Sequence, residues 1–266
     1  MTLSMPTIDW VKFPSEEGQL PQATASLEAL LDAAVEAGFV RVGLDSFTLA
    51  RPDAPADVPA ALASRGLSCT DVGVLVVGSG DGLEQAHQLG ALAQSVGAGV
   101  CVTVVDVEPD DLVIERLRAC AEVLRGYGAR MALEFLPYGP LATLPDTIAV
   151  CEAVGWANCG VLLDTWHFFN SGEPWDVLAA MSGDQIAFVQ VNDAPEPISD
   201  DMQYESRFRR AYMGQGRFNL PEFVQAVRAT GYNGVVSPEV LSADLVTQDP
   251  RDVAQGLASS LHAMGW

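Results

Sequence analysis

Four apolar runs in the second half of the chain carry an oxygen-bearing side chain at or near their ends. RMALEFL (130–136) holds Glu134, CGVLLD (159–164) ends in Asp164, IAFVQVND (186–193) carries Gln190 with Asn192 and Asp193, and GVVSPEV (234–240) holds Glu239. His167 follows Asp164 by three residues in VLLDTWHFFN and is one of only three histidines. A carboxylate inside an apolar strand is costly unless it is paired or bound to a cation. Lys12, the one lysine of the chain, is too little charge for three carboxylates. A divalent metal would supply the rest. Hard oxygen ligands such as Glu134, Asp164, Gln190 and Glu239 favour Mn²⁺, then Mg²⁺ or Co²⁺, with Zn²⁺ behind because it prefers softer nitrogen and sulfur donors. The competing reading pairs Glu134 and Glu239 with arginines and makes Asp164 a helix cap.

The elements that must position these residues alternate along the whole chain. Strand-like runs fall at 7–13, 39–45, 67–77, 99–107, 130–136, 159–164, 186–193 and 234–240. Between them lie amphipathic stretches such as ATASLEALLDAAVEAG and PDDLVIERLRACAEVLRGYGA, with apolar residues at three- and four-residue spacing. The runs are nearly continuously apolar, as strands covered on both faces are. Eight β-then-α units predict a single-domain (β/α)₈ TIM barrel over residues 1–266, with an open doubly wound sheet as the alternative. A barrel places its active site at the C-terminal ends of the strands, where the four oxygen-bearing residues stand.

Residues 194–218 form an unusually long connection holding Arg207, Arg209, Arg210 and Arg217. A guanidinium fork there could clamp a carboxylate or phosphate, and Arg217, beside the MGQG turn, is the nearest candidate. KFPSEEGQLPQ is a second, shorter case. Trp10, Phe13, Trp166 and Phe168 are rim aromatics that either wall a substrate or pack the core. Lys12 keeps open a Schiff-base aldolase, which leaves the carboxylates unexplained. VVGSGDG (76–82) lacks the spacing of a dinucleotide loop, and His87 and His262 lie in helical stretches.

A net charge of -21, from 35 acidic and 14 basic residues, argues against nucleic acid and anionic membrane partners. No leader-like segment and no bilayer-spanning run is present, and five cysteines without CxxC spacing suit a reducing compartment, so a cytoplasmic protein is expected. A homo-oligomer is compatible with all of this.

ALEFLPYG, LLDTWHF, FVQVNDA, the MGQG turn and SPEV, in this order and spacing, resemble the xylose isomerase-like TIM-barrel superfamily, in particular its sugar-phosphate isomerase/epimerase group. The resemblance implies that Glu134, Asp164, Gln190 and Glu239 hold a metal and that His167 contacts substrate beside it. Gln190 stands where many members carry a histidine. Three histidines are too few for the trinuclear zinc site of the related endonuclease IV type. The implied chemistry is proton transfer next to a carbonyl of a sugar or keto-sugar through a metal-stabilised enediolate, with Glu134 and Glu239 exchanging the proton and His167 at the substrate oxygen. Trp166, Asn192 and Arg217 are expected as further substrate contacts. Two alternatives remain: a dehydratase or lyase of dehydroshikimate or inosose type acting on a hydroxylated ring acid, and a barrel that has lost catalysis and serves as a binding subunit.

Overall fold

The computed structural model describes residues 1–14 and 19–266; Ser15 to Gly18, within KFPSEEGQLPQ, lie outside the described residues. Eight parallel strands close into a barrel. They are β1 (in two pieces, Thr2–Leu3 and Met5–Pro6), β2 (Arg41–Asp45), β3 (Ser68–Val77), β4 (Val100–Val105), β5 (Arg130–Glu134), β6 (Cys159–Asp164), β7 (Ile186–Val191) and β8 (Val235–Pro238). The first piece of β1 pairs with β8 (Thr2↔Val235) and the second with β2 (Met5↔Val42), so this short strand closes the ring.

Here the structure corrects the sequence reading. The barrel's first strand is Thr2 to Pro6 rather than 7–13. Ile8–Trp10 is a 3₁₀ turn, and Val11–Lys12 pairs antiparallel with Gln22–Ala23 outside the barrel. The reason is tertiary: the Asp9 carboxylate accepts a hydrogen bond from the Val240 amide at 2.9 Å, which turns the chain across the exit of β8.

The crossover helices are α1 (Leu27–Glu36), α2 (Val58–Ala63), α3 (Leu83–Val96), α4 (Asp111–Gly126), α5 (Leu144–Val154), α6 (Trp175–Ala180), α7 (Leu220–Ala229) and α8 (Pro250–Ala263). Ser26, Asp57, Asp110, Thr143 and Asp249 each accept an amide hydrogen bond at the start of their helix, satisfying donors the helix cannot. In α4 the buried residues Val113, Leu117, Cys120, Ala121 and Leu124 form the stripe that faces the sheet. All five cysteines are free and buried. Among the described residues, no helix is long and apolar enough to cross a membrane.

Inside the barrel, Ala132, Leu162 and Phe188 form a small apolar layer of their own. Side chains on a strand alternate, so the next inward position, two residues on, is Glu134 on β5, Asp164 on β6 and Gln190 on β7. Asp164 and Gln190 are direct register partners. The strand period thus places the polar group at one end of the barrel.

The 194–218 connection is folded rather than open. Its helix Met202–Phe208 is capped by Asp201, and Glu205 accepts the amides of Ile198 and Ser199, both at 3.0 Å. Asp193 anchors its return: one carboxylate oxygen accepts Gly214 N at 3.1 Å and Gly216 N at 2.8 Å, the other Phe218 N at 3.1 Å. The two glycines of MGQG serve different needs. Gly214 sits at φ +84°, where a side chain is strained, whereas a Cβ on Gly216 would overlap the Asp193 carboxylate and the Ala194 carbonyl. Replacing Gly216 by Ala should therefore cost about 1–3 kcal/mol, a loss of roughly 2–10 °C in melting temperature. Limited trypsin digestion should then cut faster at Arg207–Arg210; an unchanged melt and cleavage rate would refute this anchoring.

Candidate active site

The strand ends of the barrel and the 194–218 connection meet at a cavity of about 460 Å³. Glu134, His167, Gln190, Arg210 and Glu239 line its polar end. Asp164 is fully buried behind them.

Asp164 uses both of its oxygens. Oδ1 accepts the His167 amide at 3.1 Å, capping the short helix Thr165–Asn170, and Oδ2 accepts Arg210 Nη1 and Asn192 Nδ2, each at 2.9 Å. The capping role weighed from sequence is real, and it serves the site, because it fixes His167 in the first helical turn. His167 Nε2 lies 3.2 Å from Glu134 Oε1. Potential donor atoms of Glu134, Asp164 and His167 all lie within 4.8 Å of one another. Glu239 stands just past β8, tied to Gln190 Nε2 at 2.8 Å and to Arg210 Nη1 at 2.9 Å. The Gln190 Oε1 atom is buried with no hydrogen-bond partner among the described residues.

The electrostatics follow from burial. Desolvation pushes the Glu134 carboxyl up to about 8, helped by the nearby Asp164 and opposed by Arg210. Glu239 is also pushed up to about 8, first by burial and then by Glu134 and Asp164, with Arg210 again opposing. Burial lowers His167 to about 3, so its imidazole is neutral at ordinary pH. Burial works against the charge of Arg210, but Asp164 and Glu239 raise its pKa above the ordinary guanidinium value. Asp9, buried beside Glu239, is held well above the carboxylate range by desolvation and by that neighbour.

These residues suit a divalent cation. Three carboxylates face one guanidinium, an acceptor oxygen of Gln190 lacks a donor, and the compact Glu134, Asp164 and His167 group offers oxygen and nitrogen donors. His167, expected only as a substrate contact, is thereby a candidate ligand as well.

Three expected substrate contacts lie elsewhere. Arg217 does not line the cavity: its backbone is fixed to Ala194 beyond the glycine turn, its Nη2 donates to Asn170 at 2.9 Å, and it stacks on Phe218. Asn192 is fully buried behind Asp164, and Trp166 packs edge-on against His167 and Tyr138. Of the rim aromatics, Phe13 lines the cavity, while Trp10 and Phe168 are core. Lys12 is exposed and off the cavity, which leaves a Schiff-base role without support.

Sequence reasoning passed over Arg210 in favour of its neighbour and missed Tyr138 and Asp71. Arg210 is 3% exposed, is held by Ser206 O at 2.8 Å and Ser206 Oγ at 3.1 Å, and is the loop's contribution to the site. Tyr138 sits in the ALEFLPYG motif and faces the cavity, its hydroxyl 3.4 Å from Ser206 Oγ. Asp71 also lines the cavity, and burial pushes it up to about 6. Its local signal was an acid at the fourth position of β3, just before the apolar run that completes the strand.

Comparison with known proteins identifies the family of the fold. Residues 31–262 match the family model described as xylose isomerase-like TIM barrel. A 3-dehydroshikimate dehydratase of Pseudomonas aeruginosa is 31% identical over 191 residues, 69% of this chain and 30% of that protein. An inosose isomerase of Halalkalibacterium halodurans is 28% identical over 127 residues, 47% of this chain and 44% of the relative. The chain thus spans less than half the length of either curated relative. Among solved structures, the IOLI protein with a bound zinc atom superposes with a TM-score of 0.82 at 18% identity, covering 99% of this chain and 98% of the other. With the barrel, the strand-end acids and a family match over most of its length, the chain belongs to the xylose isomerase-like TIM barrel family.

Proposed function

We propose that the protein is a divalent-metal-dependent enzyme that moves a proton beside a carbonyl of a small sugar or hydroxylated ring, giving isomerisation or epimerisation. The observation that carries this reading is the pair Glu134 and Glu239, two carboxyl groups facing one cavity with Arg210 as their shared cation. Glu134, Asp164, Gln190 and Glu239 would hold the metal, with His167 as a further donor. The oxygen-rich set favours Mn²⁺ over Zn²⁺. A bound divalent ion would polarise the substrate carbonyl and stabilise negative charge developing on its oxygen.

The chain's own groups supply the proton handling. One glutamate, as carboxylate, takes the α-proton, and the C–H electron pair moves into the carbonyl to give an enediolate. The other glutamate, as carboxylic acid, returns a proton to the opposite face of the same carbon, or to the neighbouring carbon while the adjacent hydroxyl gives its proton to the former carbonyl oxygen, a transfer that His167 beside Glu134 can relay. Without a cation both carboxyl groups are held above the ordinary carboxylate range, and a bound divalent ion would draw them down toward the carboxylate form that takes the proton. Neutral His167, beside Glu134, can accept or donate a hydrogen bond to a substrate hydroxyl.

Dehydration is the second reading. Val74, Val76, Val102, Val104 and Leu136 give the cavity an apolar part of its lining, which suits a ring with few hydroxyl groups. The likeness to 3-dehydroshikimate dehydratase supports the same direction. Incubating keto-sugars, inososes and 3-dehydroshikimate with enzyme and Mn²⁺ in D₂O separates the outcomes. Solvent deuterium in recovered substrate and product without loss of water is expected; an ultraviolet-absorbing conjugated acid would make the protein a dehydratase. No exchange and no product with any compound would overturn both. Glu239→Gln should lower kcat by about 10²- to 10⁴-fold.

The metal has a separate test in stability. Without metal, Glu134 and Glu239 have folded pKa values near 8 against an ordinary 4.5, so folding favours their protonated forms. Their contribution is complete below about pH 4.5 and is lost as pH rises through about 8. The chelated protein should therefore melt progressively lower between pH 5 and 8.5 (about these limits), and less steeply as Glu134→Gln. Added Mn²⁺ should raise the melting temperature most at the alkaline end, where the carboxylates are free to bind it. A melt that ignores both chelator and metal would exclude the metal centre.

A further inference from the structure

Of the four arginines in the 194–218 connection, three have fixed partners. Arg209 pairs with Glu205 at 2.9 Å, Arg210 is consumed by Asp164, Glu239 and Ser206, and Arg217 donates to Asn170. Arg207 has none. Its side chain lines the cavity and its guanidinium lies 5.5 Å from the centroid of the Phe13 ring, yet among the described residues it makes no hydrogen bond or ion pair. In a chain with 35 acidic residues against 14 basic ones, an arginine left without an acid is informative. It is also the one cavity-lining cation, among the described residues, whose donors remain uncommitted.

Its surroundings belong to the same cavity as the acids, on the side of Tyr138, which itself packs against His167 with ring centroids 6.0 Å apart. The Tyr138 hydroxyl lines the same cavity and is close enough to feel the charge of Arg207. Phe13 holds the guanidinium plane by stacking, which pre-orders the fork without occupying its N–H groups. Valine and leucine side chains of β3, β4 and the β5 exit line the same cavity, together with Asp71 of β3. A substrate that spans this cavity needs a polar edge for the acids, an apolar middle and an anion for Arg207. Glu134, Asp164 and Glu239 disfavour a negative charge beside them unless a divalent ion is bound there, whereas Arg207 favours one directly.

We infer that Arg207, with Tyr138, binds a carboxylate on the substrate, and that the protein acts on a one-ring hydroxylated keto acid rather than on a neutral sugar. This rests on the proposed proton-transfer reading for the reacting end, but the anion recess is independent of which reaction follows. A single guanidinium and one hydroxyl match the two oxygens of a monoanionic carboxylate; a phosphate dianion would find only one cation.

Calorimetry with the Mn²⁺-loaded protein tests the recess without turnover, using 3,4-dihydroxybenzoate and catechol, which share a ring and differ by the carboxylate. The wild-type protein should bind the acid at least tenfold more tightly than catechol. Arg207→Gln should weaken the acid by about 10- to 100-fold, the size of a lost charge-assisted hydrogen bond, and leave catechol unchanged. Arg207→Lys, with the same melting temperature, should recover part of the loss. Equal binding of the acid by Arg207→Gln and wild type would overturn the inference, as would displacement of it by inorganic phosphate in the low millimolar range. In turnover, Arg207→Gln should raise KM for 3-dehydroshikimate and leave that for an inosose unchanged, with kcat held within about threefold. If no panel compound reacts yet the calorimetric difference persists, the reaction assignment falls and the recess stands; if compounds react and Arg207→Gln changes nothing, the recess falls and the reaction stands.

Discussion

The buried guanidinium of Arg210 is the interaction on which the open end of this barrel depends. It touches Asp164 and Glu239 at 2.9 Å each and lies 3.5 Å from His167 Nε2. A buried carboxylate without a counter-charge is costly, and a buried arginine without an acid equally so. Removing one partner from such a group typically costs about 3–5 kcal/mol, because the other charge is left uncompensated. Yet the exchange is incomplete: three carboxylates meet one cation. The remaining imbalance appears as the raised pKa of Glu134 and Glu239, and it is the electrostatic vacancy that a divalent ion would fill.

Arg210 belongs to the loop, whereas the acids belong to the strands. The site is therefore assembled from a rigid half and a delivered half. Asp193, one residue past Asn192 and two past the end of β7, receives three amides from the Gly214–Phe218 return and so controls where the loop lies. Ser206 then holds the guanidinium from its own helix end. Two adjacent side chains at the end of β7 divide the work: Asn192 braces the Asp164 carboxylate from behind and Asp193 anchors the loop that covers it from above. This accounts for a polar NDA sequence at a buried strand exit, where side-chain burial alone would favour apolar residues.

Much of this was legible in the sequence because strand geometry is local. Alternation with period two forces Glu134, Asp164 and Gln190 to one face once β5 to β7 are placed, and apolar runs place those strands to within a residue or two. The first strand was misplaced because its pairing with β2 and β8 involves only two residues at each side, too short for a hydrophobic pattern. Arg210 was not separable from Arg207, Arg209 and Arg217 for a different reason. Four arginines in eleven residues have similar local context, and only the fold of the loop decides which one is buried with Asp164. Asn192 and Trp166 had the right address but the wrong depth: both adjoin the site, one side chain behind it.

The cavity is divided along the sheet itself. The ends of β5 to β8 carry acids and an amide, and the 194–218 loop brings their cation, while β3 and β4 present valines beside Asp71. The acids and the valines are held at or next to strand ends, so barrel geometry fixes the distance between them, whereas Arg210 arrives on the loop. Each hydroxyl pressed against the valines without a partner costs about 1–3 kcal/mol, and Asp71, the acid of β3 that lines the cavity, offers a partner only where a hydroxyl reaches it. Discrimination among chemically similar carbonyl compounds then comes from what the wall refuses to solvate, while the acids at the opposite pole act on any substrate edge that reaches them. A common proton-transfer pole and a variable wall would let one barrel family serve isomerisation and dehydration alike, with the strands that carry the wall, rather than those that carry the acids, setting the substrate.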